Sequence, residues 1–325
     1  MSVYKILSID GGGIRGVIPA VLLQYLEAES GKAIADLFDL IVGTSTGGIL
    51  AAGATVPDAT GKPKYSATDL LKIYEDHGTE IFSRSFWKGI VSAGGMTDEQ
   101  YDEEALENLL DRYFGTTTLK DCLKPVILTS YDIEARAPYF FKSRQALKTD
   151  TRNHFLKDAA RATSAAPTYF EPEMVMTEPD TGLQRALIDG GVFVNNPAMC
   201  AYTEAVSEGA DPSDMLLVSL GTGITTRKIP FDEAKDWGAL GWVRPIISVM
   251  MDGTADATDF HLDLILGGKR KQNSQRYFRF DKHLTHALDD MDAAHSANIQ
   301  ALKKEGSSII DDNKQELEKL INLLT

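Results

Sequence analysis

Leu37-Phe38-Asp39-Leu40-Ile41-Val42-Gly43-Thr44-Ser45-Thr46-Gly47-Gly48-Ile49-Leu50-Ala51-Ala52-Gly53-Ala54 is the stretch whose reading decides the fold. Its first six residues read as a short buried strand, and residues 48–54 as a closely packed helix of small and apolar side chains. Between them, Gly43-Thr44-Ser45-Thr46-Gly47 has the G-x-S-x-G form of a nucleophile elbow, a sharp strand-to-helix turn that lifts a serine oxygen above a sheet. Ser45 is therefore expected at a helix start, where unpaired N–H groups and the helix dipole favour developing negative charge.

Upstream, residues 4–9 form a strand that ends at Asp10 and runs into Gly11-Gly12-Gly13-Ile14-Arg15-Gly16, followed by a helix over 17–30 whose apolar stripe is Val21, Leu22, Tyr25 and Leu26. The order strand, glycine turn, helix, strand, nucleophile turn, helix predicts an α/β fold with a largely parallel central sheet covered on both faces, a three-layer sandwich. Downstream, helices are expected over 67–77, 103–114 and 155–163, and strands over 125–132 and 138–142. Leu187-Ile188 ends a strand at Asp189-Gly190-Gly191, and residues 215–220 form a strand ending in Gly221-Thr222-Gly223. Ligands in open α/β sheets bind at the carboxyl ends of strands, so the glycine-rich ends at Gly11, Gly43, Gly190 and Gly221 are expected around one site. Beyond Thr225 the pattern turns helical, with helices expected over 240–251, 255–266 and 309–324. Nothing separates a second domain, so 1–325 reads as one domain with a core at about 4–223 and a helical elaboration, serving also as a cap, over 224–325.

The chain has 325 residues, 43% of them hydrophobic, enough for a sizeable core without metal or disulfide support. Cys122 and Cys200 form no metal-binding pattern and read as buried thiols in a reducing compartment. No secretory signal is visible at the amino terminus, which predicts a cytoplasmic protein, peripheral to membrane at most. A net charge of -14 argues against nucleic acid as a partner and against permanent docking on anionic lipid.

Two other chemistries fit parts of this pattern. Gly11-x-Gly13-x-x-Gly16 matches a dinucleotide-binding fingerprint, but the second strand ends in Gly43-Thr44-Ser45, not in the acid that would bind ribose. An α/β-hydrolase-type esterase with a Ser-Asp-His triad fits the chain order, with His283 and His286 the late histidines nearest a strand end. That fold does not call for the glycine turn after the first strand, whose N–H groups suit an oxyanion hole.

Taken together, Asp10-Gly11-Gly12-Gly13-Ile14-Arg15-Gly16, Gly43-Thr44-Ser45-Thr46-Gly47 and Asp189-Gly190-Gly191 resemble the motifs of the patatin-like phospholipases. The resemblance extends to residues 160–167, Asn195-Asn196-Pro197 and 219–223. It implies a lipid acyl hydrolase acting on phospholipid or related acyl esters through a Ser-Asp dyad. Ser45 would be the nucleophile and Asp189 the base, with the backbone N–H groups of Gly11, Gly12, Gly13, Ile14 and Arg15 as the oxyanion hole. Gly43 and Gly47 would shape the elbow, and Gly190 and Gly191 would give the chain room beside the acid. Arg15 would hold the glycine loop or meet a lipid phosphate. The dyad needs no metal or cofactor, so none is expected, and the expected partner is a lipid substrate met in transient contact with a membrane surface. Phe82, Phe86, Trp87, Trp237, Leu240, Trp242, Met250 and Met251 are the apolar residues available for an acyl groove, with residues 225–253 as a cap over it.

Overall fold

The computed structural model describes residues 3–82, 103–167, 169–178, 182–268 and 275–325. In chain order the elements are β1 (Tyr4–Ile9), α1 (Val17–Ser30), α2 (Ile34–Leu37), β2 (Leu40–Thr44), α3 (Thr46–Thr55), α4 (Ala67–Phe82), α5 (Glu103–Phe114), β3 (Val126–Asp132), β4 (Ala137–Lys142), α6 (Ser143–Ala146) and α7 (Leu156–Thr163). They continue with β5 (Glu173–Glu178), β6 (Leu183–Asp189), α8 (Ala198–Ser207), β7 (Met215–Leu220), α9 (Phe231–Ala234), α10 (Ala239–Ile265), β8 (Tyr277–Phe280), α11 (Ser296–Asp312) and α12 (Lys314–Leu324).

The strands form one sheet in the order β5-β6-β3-β2-β1-β7-β8, with β4 also paired to β3. The run from β3 through β2, β1 and β7 to β8 is parallel, while β4 and β6 pair with β3, and β5 with β6, in the antiparallel sense. Side-chain alternation along the central strands divides the interior in two. Leu7, Ile9, Ile41, Leu128, Leu216 and Val218 join the larger core with α1, α3, α4, α7 and α11. Ile6, Leu40, Val42, Ile127, Met215 and Leu217 point the other way and meet α8 and the carboxyl end of α10. This is the expected three-layer α/β sandwich with a largely parallel centre.

Several elements differ from the sequence expectation, each for a local reason. The strand expected over 37–42 starts only at Leu40, because Leu37 closes the short helix α2 and Asp39 turns its carboxylate onto the Lys5 N–H at 2.8 Å before the ladder with β1 begins. The two helices expected over 240–251 and 255–266 are one helix, α10, which runs through both Pro245 and Gly253. Packing on α8 outweighs the propensity cost of those two residues. The helix expected over 309–324 breaks at Asn313, which caps α11 and starts α12. Strand β8 is only four residues long, too short to show a period, and owes its conformation to pairing with β7.

Candidate active site

The elbow is built by close approach. A Cβ on Gly43 would lie 2.1 Å from the Gly47 carbonyl oxygen, and one on Gly47 would lie 2.3 Å from that of Ile9, so only glycine lets α3 rise so tightly between β2 and β1. Ser45, at the turn, takes φ 54° and ψ -126°, a conformation that costs a non-glycine residue about 1–3 kcal/mol and is kept where the surroundings impose it. Here they do so by hydrogen bonding. The Ser45 N–H donates to Thr163 Oγ1 at 3.0 Å, and that hydroxyl donates to the Thr129 carbonyl. One residue earlier, Thr44 Oγ1 bonds Thr129 Oγ1 at 2.7 Å and donates to the Val194 carbonyl at 2.9 Å. Thr129 and Thr163 thus lock the elbow from β3 and from the end of α7.

Asp189 arrives from the opposite direction. Strand β2 pairs with β3 as far as Thr44 opposite Thr129, and β6 pairs along the same edge from Asp189 opposite Ser130. The two strand ends meet head-on, which brings Asp189 beside Ser45. The Asp189 carboxylate accepts the Gly191 N–H at 2.7 Å, and its own N–H donates to the Ala165 carbonyl at 2.9 Å. It is only 3% exposed. Burial pushes the carboxyl up to about 7, while the facing Ser45 hydroxyl and the Gly191 N–H act to lower it. Gly190 packs against Thr129, and Gly191 lies under the Met251 side chain from α10.

The glycine turn shows which donors are already taken. Gly11 N–H donates to the Asn195 carbonyl at 3.1 Å, Ile14 N–H to the Met291 carbonyl at 2.9 Å, and Arg15 N–H to the Gly12 carbonyl at 3.1 Å. Among the described residues, the N–H groups of Gly12 and Gly13 have no protein partner. Three of the five N–H groups expected to hold an oxyanion are therefore already bonded within the fold. Gly13 lines the cavity that holds Ser45 and adopts φ +57°, with the Met291 carbonyl only 2.4 Å from where a Cβ would stand. Arg15 is buried and spans the turn, its guanidinium donating to the carbonyls of Gly12 at 3.4 Å and Gly223 at 3.2 Å. It therefore holds the loop.

Ser45 opens into a cleft lined largely by Ile49, Phe82, Leu106, Tyr169, Phe170 and Met291. Of the described residues among those expected to form an acyl groove, only Phe82 is in this lining. Phe86 and Trp87 lie outside the described residues. Trp237 and Trp242 instead stack on each other edge-to-face at 5.2 Å, Met250 is exposed, and Met251 covers Gly191. The wall residues come from α3, α4, α5 and two irregular segments, so no single periodic stretch of sequence advertises them.

No histidine pairs with Ser45 or Asp189 among the described residues. His154 bonds the Tyr139 hydroxyl at 3.0 Å, His295 caps α11, and His77 faces Glu80. His283 lies in an isolated bridge to Ile224, and the His286 N–H is held by Glu305. No group of three or more His, Cys, Asp or Glu is placed to hold a metal ion among the described residues, and no helix there is long and apolar enough to cross a membrane.

A serine at a strained elbow with a buried carboxyl beside it thus stands at the strand ends of an α/β sandwich. Comparison with known proteins gives the family. The model of the patatin-like phospholipases matches residues 7–202. Patatin-like protein 2 of Oryza sativa is 32% identical over 96% of this chain and 85% of its own length. Patatin-like protein 2 of Arabidopsis thaliana is 34% identical over 95% of this chain and 83% of its own, and patatin-15 of Solanum tuberosum 32% over 94% and 83%. The chain belongs to the patatin-like phospholipase family, and it is an enzyme of the lipid acyl hydrolase class.

Proposed function

We propose that the chain hydrolyses fatty-acyl ester bonds of phospholipids or related lipids through a Ser45-Asp189 dyad. The observation that carries this reading is the head-on meeting of β2 and β6 on one edge of β3, which leaves Ser45 beside a buried carboxylate. Ser45 Oγ attacks the ester carbonyl carbon, and its proton passes to Asp189. The charge that moves onto the carbonyl oxygen is met by the Gly12 and Gly13 N–H groups, donors fixed before the reaction starts. The intermediate collapses, the C–O bond breaks, and the leaving alkoxide takes the proton from Asp189. Water then attacks the acyl-enzyme, gives a proton to Asp189, and the fatty acid leaves as that proton returns to Ser45 Oγ. A base near pH 7 suits both transfers, which is what burial gives Asp189.

The apolar lining of the cleft beside Ser45 supports assigning the acyl chain to it. Residues 1–325 are read as one catalytic domain in which α10 covers the Asp189 turn, with transient contact to a lipid surface delivering substrate. The test is hydrolysis of a panel of phospholipids and soluble esters by the wild type, Ser45→Ala and Asp189→Asn, together with labelling by a fluorophosphonate. Loss of hydrolysis in both variants and loss of labelling in Ser45→Ala is the expected result. Activity surviving in Asp189→Asn but lost in His283→Ala or His286→Ala would replace the dyad with a triad.

A further inference from the structure

The glycine turn is held from a part of the chain that carries none of its motifs. Asp10, between β1 and the turn, is 2% exposed, and its carboxylate accepts from Arg279 Nη2 at 2.7 Å. Its other oxygen has no protein partner among the described residues. The Arg279 side chain, from β8, also reaches Ser219 Oγ at 2.8 Å and Asp281 at 2.7 Å. Asp281 in turn accepts the Gly223 N–H at 2.9 Å, while Thr222 Oγ1 donates to the Gly11 carbonyl at 2.7 Å. One guanidinium therefore joins the carboxylate that leads into the turn at 11–13 to the carboxylate that holds the turn at 221–223, and the two turns are bonded to each other through Thr222 and Gly11.

We propose that Arg279 is a positioning residue for acyl transfer: by clamping Asp10 and Asp281 it fixes the two turns so that the Gly12 and Gly13 N–H groups stay aimed at the oxyanion. The inference rests on the oxyanion role given to that turn above. Its physical basis is that a buried carboxylate held by one hydrogen bond swings or protonates when its partner is removed. Burial already pushes the Asp10 carboxyl up to about 7 against the pull of Arg279, with Asp281 and Asp259 adding repulsion. Removing the guanidinium leaves Asp10 without a partner and Asp281 with only its backbone donors, with no cation between the two acids. A lysine, being a point charge, restores charge but cannot fork to both acids and Ser219.

The test measures kcat and KM on a short soluble butyrate ester for Arg279→Lys, Arg279→Met and Asp10→Asn, with thermal unfolding of each alongside. A displacement of reacting groups by about 1 Å costs roughly 100-fold. We expect kcat to fall by about 30- to 100-fold in Arg279→Met and less in Arg279→Lys, with KM changed by less than about threefold. Asp10→Asn keeps the Arg279–Asp281 pair and so its fold, and should lose at least about fivefold in kcat; it decides the matter where the arginine variants do not fold. A folded Arg279→Met or Asp10→Asn with kcat within twofold of wild type overturns the proposal. Wild-type hydrolysis that persists in Ser45→Ala would instead overturn the dyad reading, a separate and distinguishable failure.

Discussion

Asp189 stands opposite Ser130 in the β3–β6 ladder, the next rung after Thr129 opposite Thr44, so Asp189 and Ser45 reach each other only because two strands end on one edge of β3. The same arrangement buries the acid, and burial has two consequences of opposite value. With its carboxyl pushed up to about 7, Asp189 is protonated in the folded chain below that pH, and activity should rise with pH through about 7 to a plateau. In the unfolded chain the proton leaves near 3.8. Between these values the folded state binds more protons, so Asp189 subtracts stability progressively as pH climbs from about 4 to 7, and fully above it. Asp189→Asn should abolish hydrolysis and, at pH 8, unfold at a higher temperature than wild type, a gain on the order of 4 kcal/mol that vanishes by pH 4. A rate flat from pH 5 to 9 would contradict the first expectation, and an equal melting shift at both pH values the second.

Strain at Ser45 gives an independent expectation. Its φ of 54° is one that glycine adopts freely, so Ser45→Gly should be more stable than Ser45→Ala by about 1 kcal/mol, both being inactive. Chemical denaturation at pH 5, compared between the two variants, checks this. Equal midpoints would mean that the elbow is relaxed.

What the sequence made legible and what it hid divide along physical lines. Ser45 and Asp189 could be named because each sits in a short glycine-bearing turn whose residues have no other economical use. The parallel centre was readable because β1 and β2 each run through a glycine-bearing turn into a helix, the order of a strand–helix–strand crossover. Residues that act across large sequence separations left no such mark. Met291, whose carbonyl holds Ile14, looks like an ordinary residue until the fold brings it in, and Thr163, though within the 160–167 stretch of the resemblance, gave no sign of its bond to Ser45 118 positions away. The donors of Gly11, Ile14 and Arg15 could not be discounted without knowing where their hydrogen bonds go. Of the cleft beside Ser45, Phe82 was named from the sequence, whereas Ile49, Leu106 and Phe170 carry no mark that sets them apart from core residues.

Thr163 should therefore matter more than its type suggests. In Thr163→Val the Ser45 N–H loses its acceptor in a buried place, a loss of roughly 1–3 kcal/mol, and the elbow loses a tie to β3. We expect a lower melting temperature and a fall in kcat of about tenfold on a soluble ester, with Thr163→Ser close to wild type in both because its hydroxyl can restore the link. If serine fails to rescue, the methyl group and not the hydroxyl is what the elbow needs.

Met291 offers a way to separate the cavity from the chemistry. Its carbonyl fixes the glycine turn through Ile14, a contact that any residue preserves, whereas its half-buried side chain lines the space beyond Ser45. Met291→Trp should crowd an acyl chain while leaving the reacting groups in place. Hydrolysis of a long-chain ester should then fall by about tenfold or more relative to a butyrate ester, since each excluded methylene forfeits about 0.8 kcal/mol of burial. Met291→Ala should leave the butyrate rate within about twofold and move the preference toward longer or bulkier acyl groups, because space is added without moving a donor. Measured kcat/KM across a chain-length series decides between this and a purely structural side chain, for which every ester would change in the same proportion.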